Sequence, residues 1–171
     1  ENSNNTNFKI ELEKKYKNLK CILTGQNLGY AKGNNLGLSK VESKYALILN
    51  PDAVLANDTL DRFLFTANNF SDFAILGPAR QDEHNFEEQN KDKEQVFQVN
   101  SLKGFAMFLN LDQFDKIGFF DENFFIYLEE IDLCKRLLNE NKKILLDKKI
   151  VINHLGGSSH NEAINFEMEL S

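Results

Sequence analysis

Tyr45-Ala46-Leu47-Ile48-Leu49-Asn50-Pro51-Asp52 is the stretch on which the fold turns. Five residues without a polar break describe a strand buried on both faces of a parallel sheet. The run stops at Asn50-Pro51-Asp52. Proline fixes its own φ and turns the preceding residue out of the helical region. Two polar side chains are therefore expected at the carboxyl end of a central strand, the edge at which open α/β sheets bind ligands. In isolation Pro51-Asp52 is better explained as a turn before a helix, because Asp is a common turn residue. The residues further along weigh between the two.

A chain of 171 residues is long enough for one domain with a sizeable core and too short for two of ordinary size. An apolar content of 42% with 27% charged residues describes a soluble globular protein. The net charge of −6 speaks against nucleic acid as a partner, since phosphate binding needs a basic face. The two cysteines, Cys21 and Cys134, sit among apolar neighbours and read as buried free thiols, which suits a reducing compartment. No apolar run approaches a membrane span and there is no signal segment. The expected location is cytoplasmic, with the inner face of a membrane as a peripheral station.

Phe8, Leu12, Tyr16 and Leu19 recur at helical spacing and predict a surface helix over residues 7–18. Cys21-Ile22-Leu23 reads as a short strand. The Asn- and Gly-rich segment 25–38 leads into a helix ending near Glu42, with Gly29, Gly33 and Gly37 four apart. Such a bare face lets another backbone or a ligand approach, or packs a helix start tightly on the sheet. Asn57 or Asp58 caps a helix running to about Asn68, and Phe73-Ala74-Ile75-Leu76-Gly77 is a buried strand stopped by Pro78. Residues 81–95 read as a solvated loop containing an ordinary surface His84. Residues 96–99 and 104–109 read as strands, and 111–117 as a short helix ended by Gly118. Strands alternating with helices indicate an α/β fold with a mainly parallel sheet.

Phe119-Phe120-Asp121-Glu122-Asn123-Phe124-Phe125-Ile126-Tyr127 is dense in aromatics, and Leu128-Glu129-Glu130-Ile131-Asp132 opens a helix after it. Tyr127, Ile131, Cys134 and Leu138 are expected as its buried stripe. Glu129, Asp132 and Arg136 fall on another side, a spacing that suits an ion pair occupying Glu129. Acids in a first helical turn complement the helix dipole, which by itself accounts for most acidic helix starts. Beside a wall of Phe, however, repulsion and apolar surroundings work against ionisation, and a positioned carboxylate there can serve as a general base. Finally, Ile150-Val151-Ile152-Asn153 delivers His154 into a Gly-Gly-Ser-Ser loop. A histidine so placed is either structural or a partner of Asp52 on one divalent cation. His160 carries no assignment.

Taken together, five blocks resemble the family 2 glycosyltransferases, in particular their rhamnosyltransferase-like branch. They are Asn27-Leu28-Gly29-Tyr30-Ala31-Lys32-Gly33-Asn34-Asn35-Leu36-Gly37, Leu49-Asn50-Pro51-Asp52, the run from Gly118 to Phe125, Leu128-Glu129-Glu130-Ile131-Asp132-Leu133 and His154-Leu155-Gly156-Gly157-Ser158. The order is the family's, over about residues 1–160. The resemblance implies a single GT-A type domain over residues 1–171 that binds a nucleotide sugar, and inverting sugar transfer. It implies Asp52 as the ligand of Mg²⁺ or Mn²⁺, with Asn50 a neutral departure at the first acid position. It implies Glu130 as catalytic base, one methylene longer than the usual Asp, and His154 as a residue completing the metal site. Glu1, Asn27, Gly29, Asn34, Asn35 and Asn50 fall on the donor side; Asp121 and Glu129 fall on the acceptor side. The implied partners are a dTDP- or UDP-linked sugar and a glycan or lipid-linked acceptor, with rhamnosyl transfer the first suggestion. The family's first strand, helix and second strand would precede Glu1, and its later helices would follow Ser171, so the domain is expected to be partial at both ends. Two rival readings stay open: a non-catalytic fragment that binds sugar or a partner, and a nucleotidyltransferase, for which only Lys32 is basic near the glycine-rich turn.

Overall fold

β1 (Tyr45–Leu49) is apolar on both faces for the expected reason, but it is an edge strand rather than a central one. Ala46 and Ile48 pack into one hydrophobic cluster, and Tyr45, Leu47 and Leu49 against another. The computed structural model describes residues 1–79 and 95–154. Residues 81–94 with His84, the loop after His154 and His160 lie outside the described residues.

The elements run α1 (Thr6–Lys15), α2 (Gly29–Leu38), β1, β2 (Ala53–Leu55), α3 (Thr59–Asn69), β3 (Phe73–Pro78), β4 (Val96–Gln98), β5 (Ala106–Asn110), α4 (Glu129–Asn139), β6 (Lys143–Asp147) and β7 (Ile152–His154). A five-stranded sheet has the order β1-β5-β3-β6-β4, and β2 pairs with β7 beside it. β1, β3 and β6 share one direction, as the helix-strand alternation predicts. β5 and β4 run the other way, so only the β3–β6 ladder is parallel and the sheet is mixed. Three of the five strands thus share the expected parallel direction, and β5 and β4 enter antiparallel. β5 inserts antiparallel between β1 and β3, a placement that strand-helix alternation does not foresee.

β3, buried at all of its positions, is the true centre of this sheet. The alternation of side chains assigns each face its core. Ile75, Met107, Leu109 and Ile144 meet Ala31 and Leu38 of α2 and Leu133 and Leu137 of α4. Leu76, Phe108 and Leu145 meet Phe63 and Ala67 of α3 on the opposite face. The phase of α4 differs from the expected stripe. Leu133, Cys134 and Leu137 are buried, while Tyr127 and Ile131 are 44% and 47% exposed. Tyr127 falls outside the helix, which begins at Glu129 after two residues at φ 68° and 70°, and within the helix the buried face runs through Leu133, Cys134 and Leu137, leaving Ile131 on the outer side. Both cysteines are buried free thiols, as expected.

α1 has no buried residue and is the surface helix foreseen. Residues 21–23 form no strand ladder. Instead the Cys21 N–H donates to Glu13 Oε1 at 2.8 Å, and Lys9 Nζ donates to the Cys21 carbonyl. The segment 111–117 is a 3-10 turn (Leu111–Gln113) followed by loop, and Gly118 ends it at φ 70°. Among the described residues no helix is long and apolar enough to cross a membrane.

α3 is fixed to the sheet by a polar cluster. Asp147, with no exposed surface, accepts from Arg62 Nε at 2.9 Å, Thr66 Oγ1 at 2.6 Å and the Lys149 N–H at 2.9 Å. Removing one partner of a buried ion pair leaves an uncompensated charge. Asp147→Ala is expected to lower stability by about 3–5 kcal/mol in denaturant unfolding. A loss below about 1 kcal/mol would show that the cluster is dispensable.

Candidate active site

The Asn50-Pro51-Asp52 turn leads from β1 into β2, closed by the Ala53 N–H donating to the Asn50 carbonyl at 3.1 Å. β2 pairs with β7 in a register that sets Ala53 opposite His154. The pairing carries the imidazole to the acid: His154 Nε2 lies 3.2 Å from Asp52 Oδ1. The sequence places these residues about a hundred positions apart, and the fold brings them together.

The same spot is walled by Phe105, whose ring stacks on His154 at 4.7 Å with the planes 17° apart. The Phe105 carbonyl accepts from the Asn50 N–H at 2.9 Å. Phe105 also lines an open pocket with Ser101, Lys103, Glu130 and Ile131. Glu130 therefore faces the pocket whose wall is shared with the Asp52–His154 pair.

Glu129 is turned away from it. The residue is 4% exposed. Burial first, and the Glu130 charge in addition, push its carboxyl above the usual carboxylate range, against a lowering contribution from its own backbone N–H. The expected ion pair with Arg136 is not formed. Arg136 binds Asp132 at 2.7 Å and the carbonyls of Ile117 and Phe119 at 3.1 and 2.6 Å, locking α4 to the loop before it. Oε2 of Glu129 and Oε2 of Glu130 are both buried without a hydrogen-bond partner.

The start of α2 closes the other side. Gly29 has φ 74°, and a Cβ placed on it would lie 2.3 Å from the Phe125 carbonyl oxygen. The Tyr30 N–H donates to that oxygen at 2.7 Å. The glycine-spaced face thus does admit a neighbouring backbone, but at Gly29 alone; Gly37 meets nothing within 4 Å. The Tyr30 hydroxyl donates to the Gly104 carbonyl at 2.5 Å.

The remaining candidates divide. Asn27 Oδ1 accepts from the Gly29 N–H at 2.9 Å and from Asn2 Nδ2 at 2.8 Å. Asn34 Nδ2 donates to the Tyr30 carbonyl within its own helix. Asn35 exchanges bonds with the Phe120 carbonyl and N–H at 2.9 and 3.1 Å, so its amide holds α2 to the loop. Glu1 Oε1 accepts from the Ser3 hydroxyl at 2.6 Å on the exposed surface. Asp121 closes a turn onto Asn123, with the backbone N–H at 2.9 Å. Asn2, Tyr30 and Phe105 carry no expectation from sequence. Asn2 proves to be a hub: its Oδ1 accepts from the Leu28 N–H at 2.8 Å and its Nδ2 reaches the Gly29 carbonyl at 3.2 Å. Their polar contacts are mostly with backbone, which no motif records.

The donors at Asp52 and His154 fit a small divalent cation. Two ligands at right angles around Mg²⁺ stand about 3 Å apart, and the observed separation is 3.2 Å. Among the described residues no group of three or more His, Cys, Asp or Glu could hold a metal, so most of the coordination would fall to water and phosphate. That division of ligands suits Mg²⁺ or Mn²⁺.

Comparison with known proteins gives this geometry its family. A family model for glycosyl transferase family 2 matches residues 7–134. The chain belongs to that family. It is 27% identical over 146 residues to the low-salt glycan biosynthesis hexosyltransferase Agl10 of Haloferax volcanii, covering 72% of this chain and 47% of that protein. It is 24% identical over 148 residues to the rhamnosyltransferase WbbL of Escherichia coli K12, covering 67% and 56%. The chain thus spans about half the length of the curated relatives it matches. Among solved structures, a mannosyltransferase from Pyrobaculum calidifontis with GDP-Man and Mn²⁺ superposes with TM-score 0.69 at 12% identity, over 94% of this chain and 47% of that one. GalNAc-T7 with UDP, GalNAc and Mn²⁺ gives 0.67 at 12% identity, over 85% and 34%. The fold is that of a GT-A type glycosyltransferase domain.

Burial, with the charges of Glu129 and Glu130, also pushes the Tyr30 phenol well above its ordinary value. Tyr30 is expected to remain un-ionised in alkali that ionises an exposed phenol near pH 10. Ultraviolet titration of the native protein should lack that tyrosine's absorbance step, and Tyr30→Phe should leave the native curve unchanged. A native curve that loses a step in Tyr30→Phe would show the phenol free of this packing.

Proposed function

We propose that the protein transfers a sugar from a nucleoside-diphosphate donor to a hydroxyl of a glycan or lipid-linked acceptor, with inversion at the anomeric carbon. The observation that carries this reading is the meeting of Asp52 and His154 at 3.2 Å beside a pocket that holds Glu130. A divalent cation, when bound there, neutralises the charge that grows on the departing diphosphate. Asp52 and His154 would hold it, the imidazole in its neutral form, since only an unprotonated nitrogen coordinates.

Glu130 would take the proton from the acceptor hydroxyl as that oxygen attacks the anomeric carbon. The new C–O bond forms on the face opposite the diphosphate, whose bond to the sugar breaks and which leaves with the electron pair. Asn27, Gly29 and Asn34 stay in the proposed donor set as the strand-to-helix approach to α2, and Glu1 and Asn50 with them. Asn35, whose amide is committed to Phe120, is proposed as a scaffold for that approach. The proposed donor is dTDP- or UDP-linked. Rhamnose is the proposed sugar, in line with the named activity of one relative.

A binding-only reading is favoured by one feature, the neutral Asn50 at the first acid position. The two separate by experiment in the whole protein. Asp52→Asn is expected to abolish metal-dependent binding of nucleoside diphosphate in calorimetry while leaving the thermal transition in place. Glu130→Gln is expected to slow transfer roughly a hundred- to ten-thousand-fold with donor affinity kept. Unchanged affinity in Asp52→Asn removes Asp52 from the site. A Glu130→Gln protein near full rate, with Glu129→Gln dead, overturns the choice of base.

A further inference from the structure

The catalytic reading leaves one buried ionisable group unused. Glu129 is 4% exposed, yet its Oε2 meets neither solvent nor a hydrogen-bond donor. Of the buried side-chain atoms left unpartnered among the described residues, two of the three belong to Glu129 and Glu130; the third is on Asn110. An ionised carboxylate without a partner is the most expensive group to bury, and a second carboxylate beside it raises that cost.

The groups around Glu129 do not relieve it. From α2, the Tyr30 phenol has its single proton directed to the Gly104 carbonyl. From α4 itself comes the Glu130 charge. Arg136 is committed to Asp132 and to two loop carbonyls. Lys103 lies on the pocket side, with Glu130. The position at the start of α4 offers one favourable contribution, the backbone N–H at the positive end of the helix.

We propose that Glu129 stands in the native protein as a neutral carboxylic acid behind Glu130, and that it is a positioning residue for the base. This rests on the reading of Glu130 as base. With a proton on Glu129, the pair carries one negative charge, and that charge is on the member facing the pocket. The base then has no second anion behind it. The burial that neutralises Glu129 also shows the geometric division of labour: one carboxyl faces the protein and its neighbour, about 100° round the helix, faces the cleft.

The test has two arms on the intact protein. In the first, carbon-13 NMR of labelled glutamate side chains follows ionisation against pH. One resonance should titrate above the usual glutamate range and be absent from Glu129→Gln. In the second, the acidic limb of kcat/KM is measured in Glu129→Gln. Replacing a neutral acid by a neutral amide should leave the limb where it is, whereas removing a charge would move it to lower pH. The sign of the stability linkage gives a further check. A carboxyl with a raised pKa stabilises the fold below its unfolded value and loses that contribution as pH rises through its folded value. Wild type should therefore weaken relative to Glu129→Gln as pH climbs through that window. All glutamates titrating in the ordinary range, or a limb displaced to lower pH, overturns the proposal. The outcome is separable from the choice of base, because the NMR titration does not depend on turnover, whereas a fully active Glu130→Gln would defeat that choice alone.

Discussion

Gly104-Phe105, the pair just ahead of β5, is the joint through which the site is held. The Gly104 carbonyl takes the Tyr30 hydroxyl, and the Phe105 carbonyl takes the Asn50 N–H. The Phe105 ring stacks on His154. A Cβ on Gly104 would come within 3.3 Å of the Tyr30 hydroxyl oxygen and 3.7 Å of the Glu130 Cβ, so a side chain here would press on the Tyr30 hydroxyl by a few tenths of an ångström. Two residues thus tie α2, the end of β1, β7 and the start of α4 to one another. Each bond is an ordinary one, worth about 1 kcal/mol net, and their effect on function lies in geometry. Asp52, His154 and Glu130 sit on separate elements, and this joint, together with the β2–β7 pairing, sets their relative places.

The loop before α4 shows strain in the service of the same arrangement. Tyr127 and Leu128 both take left-handed backbone, which costs roughly 1–2 kcal/mol for a residue with a Cβ. Phe125, Ile126, Tyr127 and Leu128 are all more than 40% exposed. In return, the Phe125 carbonyl reaches the bare Gly29 and bonds to the Tyr30 N–H. Asn35 and Arg136 clamp the loop from either side through the carbonyls of Phe120, Ile117 and Phe119. The unfavourable backbone sits directly before the two glutamates, where over-determined surroundings can hold it.

How much of this is legible in sequence depends on whether a residue acts through its side chain or its backbone. The proposed roles of Asp52 and His154 come from the resemblance, since an acid after proline and a histidine at a strand end have ordinary structural uses, and the structure adds the β2–β7 register that joins them. Glu130 at the head of a helix likewise owes its proposed role to the resemblance, because acids there commonly serve only the helix dipole. Gly104 and Phe105 are not legible, since a carbonyl oxygen leaves no mark on residue choice and the ring looks like core. Asn2 is lost among neighbouring asparagines. The stripe on α4 is misjudged because Tyr127 precedes the helix, as one of two non-glycine residues at positive φ, and because Leu133 and Leu137 rather than Ile131 share the buried side with Cys134. Helix-strand alternation gives the common direction of β1, β3 and β6 but says nothing of β5 slipping between two of them.

The account rests on Asp52 and His154 holding a cation at the donor diphosphate, across Phe105 from Glu130. Anomalous diffraction from crystals of the whole protein with Mn²⁺ and a nucleoside diphosphate measures this directly. The expected result is one metal peak within about 2.3 Å of both Asp52 Oδ1 and His154 Nε2, its remaining ligands water and phosphate oxygen. A metal bound to the diphosphate away from both residues, with Asp52 and His154 still paired to each other, would contradict it.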